Sequence, residues 1–266
     1  MKLTKKDLRL PEEELRLKIK ELADEVRYKF VQKGIIDIFD VLENEVFLIR
    51  NSFDSEEFSG FSTYYEDTFI VVLNSSFTLG HERYSGAHEL YHVTQNKDIL
   101  KREKLIDEQK HKEEDKKAEI FAAEFLMPES YVKELFYKLV DETPDKIEPR
   151  HVIRLNNKLK VSYRAMLKRL IQFDLCDINR YKELSDFGNL QNKLKLQELT
   201  KIEGYDLSLI TPSKVCFVSN EYIEALRRNY ENNKISYTKI SELLRFIGKY
   251  PLDYGYKFIE EEDDLV

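Results

Sequence analysis

The chain has 266 residues, enough to bury a substantial core, with 42% hydrophobic residues, 35% charged residues and a formal net charge of −7. That acidic balance opposes tight non-specific binding to nucleic acid, which draws on concentrated Lys and Arg, and no 18-residue apolar run is present to span a bilayer. Met1 to Lys6 show no charged region joined to an apolar one as in a leader, and two cysteines, Cys176 and Cys216, argue against a disulfide framework, so the expected setting is the reducing cytoplasm.

Taken in order, residues from about Leu10 to Gln32 read as a helix, because Leu15, Ile19, Leu22, Val26 and Phe30 recur every three or four positions and Gly34 follows as a C-cap. Ile36 to Leu42 is ambiguous between helix and strand. Val46-Phe47-Leu48-Ile49 is rich in strand-favouring residues, Asn51 to Ser62 reads as a polar loop, and Thr68 to Leu73 reads as a second strand ending at Asn74-Ser75-Ser76. A small antiparallel sheet is the simplest expectation, since strands in series then need only hairpin connections.

A helix beginning near Leu79 to Arg83 carries Ala87-His88-Glu89-Leu90-Tyr91-His92-Val93, an HExxH motif. Positions four apart sit one above the other on a helix, so His88 and His92 reach one metal ion from consecutive turns. Neutral imidazoles suit Zn²⁺, which in catalytic sites takes three protein ligands and leaves a fourth position open. Glu89 is placed to touch a water without binding metal, the position of a general base. The bland alternative is a pair of solvated surface histidines. Eight glycines include no GxGxxG and no Walker-type phosphate loop.

From Lys97 to Glu114 runs a stretch of alternating charge, read as a solvated face or a mobile loop. Asp115 to Met127 then forms helix-favouring sequence stopped by Pro128, with Asp115 and Glu119 on the face of Ala118 and Ala122. Those small alanines allow close packing against a neighbour. If the neighbour is the HExxH helix, the carboxylate delivered to it is the third ligand, whereas the bland reading of Asp115 is a carboxylate stabilising a helix N-terminus.

These two elements together resemble the ImmA/IrrE family of metallo-endopeptidases. The second helix of that family reads roughly acidic-x-x-Ala-Asn-x-Phe-Ala-Ala-x-Leu-Leu-Met-Pro; here it is Asp115-x-x-Ala118-Glu119-x-Phe121-Ala122-Ala123-x-Phe125-Leu126-Met127-Pro128. Ile70 to Asn74 is similar to the strand that ends in Asn before the active helix of the family, and Val161-Ser162-Tyr163 to Leu170 is similar to its short Val-Ser helix. The resemblance covers about residues 15 to 175. It implies a zincin-like fold and a zinc ion bound by His88, His92 and an acidic residue of the second helix, with Glu89 as catalytic base. The family position of the third ligand holds Asp115, one methylene shorter than Glu, which leaves either closer helices or a role for Glu119 or Glu114. Glu119 is alternatively a residue that orients a ligand or the water. The resemblance further implies a protein substrate, a transcriptional repressor or antitoxin-like partner linked to a mobile element or a stress response. A metal-containing regulator that works by binding and does not cleave is the rival.

Past Pro128, Tyr131 to Val140 and two segments within 147–177 read as helices. His151 has no acidic or His neighbour at ligand spacing and reads as structural or exposed, and His81 and His111 read as surface residues. From about Asn179 the expected order is a charged helix, a Gly204 turn, a short strand at Val215 to Val218, helices near 221–232 and 236–249 with Ser236 as N-cap, and an acidic tail. The predicted architecture is therefore α+β: a mostly helical zincin-like metallopeptidase domain with a small antiparallel sheet at 1–178, and a C-terminal helical region at 179–266.

Overall fold

The computed structural model describes residues 13–53, 55, 58–65, 67–95, 97–98, 108–140 and 143–257, and of 108–111 the backbone alone. The start of the first helix, most of the charged run after Gln95, the His111 side chain and the acidic tail lie outside the described residues. Helix α1 (Glu13–Val31) buries Ile19, Ala23 and Phe30 and ends where Gly34 takes φ +74 and donates to the Val31 carbonyl. The ambiguous stretch after it becomes helix α2 (Ile38–Glu45). Asp37 caps it by accepting from the Phe39 amide at 3.1 Å, and Ile38, Val41 and Leu42 form its buried stripe.

Four strands follow, β1 (Phe47–Asn51), β2 (Gly60–Tyr65), β3 (Thr68–Asn74) and β4 (Phe217–Val218), in the spatial order β2-β3-β1-β4. The sheet is mixed and not the antiparallel one expected. β2 and β3 form a hairpin, but β1 lies parallel to β3, with Leu48 opposite Val71 and Arg50 opposite Leu73. Residues 52–67, β2 included, form the crossover that a parallel pair requires. β3 accepts the central place because Val71, Val72 and Leu73 are all buried, the continuous apolar run of a strand covered on both faces. Part of the expected polar loop is thus strand β2. Among the described residues, β2 has no neighbour on its outer edge.

Helix α3 (Leu79–Gln95) carries the HExxH motif and packs against α4 (Glu108–Leu126), which starts earlier than expected and ends before Pro128. Ala87, Ala118 and Ala122 are wholly buried, small residues on packed helices that permit a close approach. Gly80 serves the same end of α3. A Cβ there would lie 2.6 Å from the Ser162 amide nitrogen and 2.8 Å from the Val161 carbonyl carbon, so only glycine admits that turn. The turn joins α6 (Pro149–Leu159) to α7 (Tyr163–Gln172), and Ser162 caps α7 by accepting from the Ala165 amide at 3.2 Å.

α6 and α7 share an apolar cluster with α5 (Glu129–Leu139), α8 (Ile178–Phe187) and Leu196 of α9 (Lys193–Ile202). Further on, β4 adds to β1, and Val218 packs with Leu226 of α10 (Asn220–Glu231) and Ile240 and Leu244 of α11 (Tyr237–Phe246). Ser236 caps α11 as expected.

A buried charge network ties α1, α4 and α7 together. Glu124, 1% exposed, meets Arg16 Nε at 2.9 Å and Arg169 Nη2 at 2.6 Å. The second contact is a charge pair and not an aligned hydrogen bond, while Arg169 Nε donates to the Met127 carbonyl at 3.0 Å. Among the described residues, no helix is long and apolar enough to cross a membrane.

Candidate metal centre

Three anchors fix α3 where it meets the sheet. Asn74, fully buried at the end of β3, donates to the carbonyls of Ser55 and Phe58 and accepts from the amides of Phe53 and Ser76, which stitches the 53–58 segment to the turn before the helix. Thr78 accepts from the amides of His81 and Glu82 and so opens the helix. Glu82, wholly buried, accepts from Arg50 Nε at 2.7 Å and from the Ser213 hydroxyl at 2.7 Å, which joins the first turn to β1 and to the segment leading into β4.

Two turns further, His88 and His92 project to one side with their Nε2 atoms 3.2 Å apart. Asp115, from the third turn of α4, brings Oδ1 to 3.3 Å from His92 Nε2 and 3.8 Å from His88 Nε2. Tetrahedral zinc with bonds of about 2.0–2.1 Å holds its ligand atoms about 3.3 Å from one another. Two of the separations match that spacing and the third, 3.8 Å, is about half an ångström wider, and two imidazoles with a carboxylate are a donor set suited to a borderline divalent cation. The helices sit close enough for the shorter Asp. Its place eight residues into α4 removes the helix-N-terminus explanation, which acts only within the first turn.

Glu89 is 6% exposed and lies beneath β2. Burial pushes its carboxyl up to about 7, Asp115 adds to the rise, and hydrogen bonding to Ser62 opposes it. A cation among the neighbouring donors also opposes it. Gly60 lies over the same residue: a Cβ there would be 3.6 Å from Glu89 Cγ. Ser62 escaped the sequence reading because it fell within the expected polar loop, where a lone Ser carries no signal.

Glu119 stands apart from the group. Its side chain is exposed, and its backbone carbonyl accepts from the Tyr84 hydroxyl at 2.9 Å. Glu114, the other carboxylate considered, accepts from the Tyr91 hydroxyl at 3.0 Å. His151 caps α6 by accepting from the Glu148 amide, and His81 pairs with Ser59 and stacks on Phe77.

The profile of the Peptidase M78 family, described as the IrrE N-terminal-like domain, matches residues 43–171, a span that contains the sheet strands β1 to β3, α3, α4 and all three convergent donors. No curated protein matches the chain significantly. Among solved structures, the chain is similar to a Mycobacterium tuberculosis transcriptional regulator at 14% identity and a TM-score of 0.40, over 60% of this chain and 47% of that one. The chain thus spans about half the length of that protein. With the motif helix and its acidic partner inside the matched span, the chain carries, at residues 43–171, a metallopeptidase domain of the ImmA/IrrE family.

Proposed function

We propose that this protein is a zinc-dependent endopeptidase that cleaves a regulatory protein, a repressor or antitoxin-like partner. The observation that carries the proposal is the convergence of His88, His92 and Asp115 within 3.8 Å, with the buried carboxylate of Glu89 next to the first of them on the same helix. His88, His92 and Asp115 would hold the metal. When bound, it supplies Lewis-acid polarisation of a carbonyl and makes water more acidic.

Glu89 is the general base of this reading. Its carboxylate accepts a proton from the attacking water and returns one to the nitrogen of the departing amine, so that the peptide bond breaks without a free strong base or acid. The Ser62 hydroxyl restricts the Glu89 rotamer. Among the described residues no strand adjoins β2 on its outer side, and Gly60 of β2 lies over Glu89, so an extended peptide added along that side would bring its backbone toward the site. Glu119 plays no part as a ligand in this scheme.

Glu89→Gln is the direct test, because it keeps the shape of the side chain and removes the base. Incubated with the product of the adjacent gene, the wild-type zinc-loaded protein is expected to yield two fragments, and the variant none while still binding zinc. If the variant cleaves as fast as wild type, Glu89 is not the base. If cells carrying the variant regulate normally, the protein acts by binding its partner and not by cutting it.

A further inference from the structure

Asp115 reaches the two histidines although it is one carbon–carbon bond, about 1.5 Å, shorter than the Glu that the helix position would otherwise suit. Such a short arm tolerates little relative movement of α3 and α4. Two hydroxyls of α3 bond to α4, Tyr84 to the Glu119 carbonyl and Tyr91 to the Glu114 carboxylate, and the second, from the residue between the motif's Leu90 and His92, lies at the level of the site. The Tyr91 ring is 3% exposed and runs along α4, 5.7 Å from the Phe121 ring centroid at one end, with its hydroxyl 3.0 Å from Glu114 Oε2 at the other. Glu114 and Phe121 are seven residues, close to two full turns, apart and so lie on one face of α4. Tyr91 therefore touches α4 at two points about two turns apart and restrains both its height and its rotation against α3 beside the site. Lys117 Nζ holds the other oxygen of the same carboxylate at 2.6 Å, which keeps Glu114 aimed along its own helix while it takes the Tyr91 hydroxyl.

We propose that the Tyr91–Glu114 hydrogen bond is a positioning device for Asp115, holding the second helix in the register at which an Asp, and not only a Glu, closes the metal site. The inference rests on the reading of Asp115 as a metal ligand. Neither Tyr91 nor Glu114 supplies a ligand atom to the set; each acts on the metal through the residue beside it in sequence.

Zinc affinity, measured by competition with a chromophoric chelator, tests this without reference to activity. Tyr91→Phe keeps the ring and its packing and removes the hydroxyl; partners that orient a metal ligand are worth roughly 10- to 100-fold in affinity, and a loss of that order is expected. Glu114→Ala, made at a more accessible side chain, is expected to match it and guards against a Tyr91 variant that fails to fold. The distinguishing readout is rescue: Asp115→Glu, placed in the Tyr91→Phe background, is expected to recover most of the lost affinity, because the longer arm no longer needs the fixed register. Unchanged zinc affinity in both Tyr91→Phe and Glu114→Ala overturns the tether and leaves the metal site standing. So does a loss that Asp115→Glu fails to rescue, which would mark the hydrogen bond as ordinary helix packing. Retention of full zinc affinity by Asp115→Ala overturns the ligand reading, and the tether with it.

Discussion

Gly80→Ala makes a sharp test of how the motif helix is seated. Alanine favours a helix over glycine by up to about 1 kcal/mol, so propensity alone predicts stabilisation at this position of α3. The structure predicts the reverse. The added Cβ meets three backbone atoms of the α6–α7 turn, Ser162 N at 2.6 Å, Ser162 Cα at 2.8 Å and Val161 C at 2.8 Å, and none of these can swing aside as a side-chain end would. Overpacking of this kind costs about 1–3 kcal/mol, and rigid backbone neighbours put the cost toward the upper end. The net expectation is a loss of about 1–2 kcal/mol, read as a lower urea midpoint at an unchanged slope. Gly204→Ala is a useful contrast. Gly204 has φ +80 and nothing within 4 Å of its built Cβ, so its loss of about 1 kcal/mol comes from left-handed backbone alone. A Gly80→Ala protein as stable as wild type would refute the close seating of α3 on the turn at Ser162.

Glu124→Ala leaves Arg16 and Arg169 facing one another in the interior without their shared anion, and a loss of about 3–5 kcal/mol is expected in equilibrium unfolding. A loss under about 1 kcal/mol would mean that the guanidiniums escape to water. Ser162→Ala removes the cap of α7 and should cost about 1 kcal/mol in the same assay; no change would mean the Ala165 amide finds another acceptor. The Lys133 ammonium, and after it the Arg16 guanidinium, hold Glu129 at about 2, below its ordinary 4.5. Because the folded carboxyl binds its proton less readily than the unfolded one, its contribution is present above about 4.5 and is lost as pH falls through about 2. In metal-free protein the urea midpoint should therefore fall less steeply across that window for Glu129→Gln than for wild type, and parallel curves would contradict the pairing.

The convergence of His88, His92 and Asp115 was legible in the sequence because much of its geometry is local. His88 and His92 are four apart on one helix, so their convergence needs nothing from the rest of the chain. Asp115 was legible at longer range only because small residues, Ala118 and Ala122, accompany it on one face of a strong helix. What stayed hidden depends on contacts that no spacing records. The parallel pairing of β1 with β3 follows from burial of Val71 to Leu73 between two neighbours, and the same residues would fit a hairpin as well. Ser62 looked like part of a loop until β2 placed it over Glu89. No spacing marks Glu124, and only the packing of α1 and α7 reveals that it pairs with two arginines. Tyr91, a non-ligand position of the motif, gained its meaning from α4.

Zinc content bears most directly on the central claim that His88, His92 and Asp115 together hold a metal. Protein purified without chelator and analysed by mass spectrometry of its metals should contain close to one zinc per chain, as should Glu119→Ala, whose exposed side chain lies outside the group. His92→Ala and Asp115→Ala should contain almost none. Wild-type protein free of zinc after zinc supplementation, or an Asp115→Ala protein that retains it in full, would contradict the account.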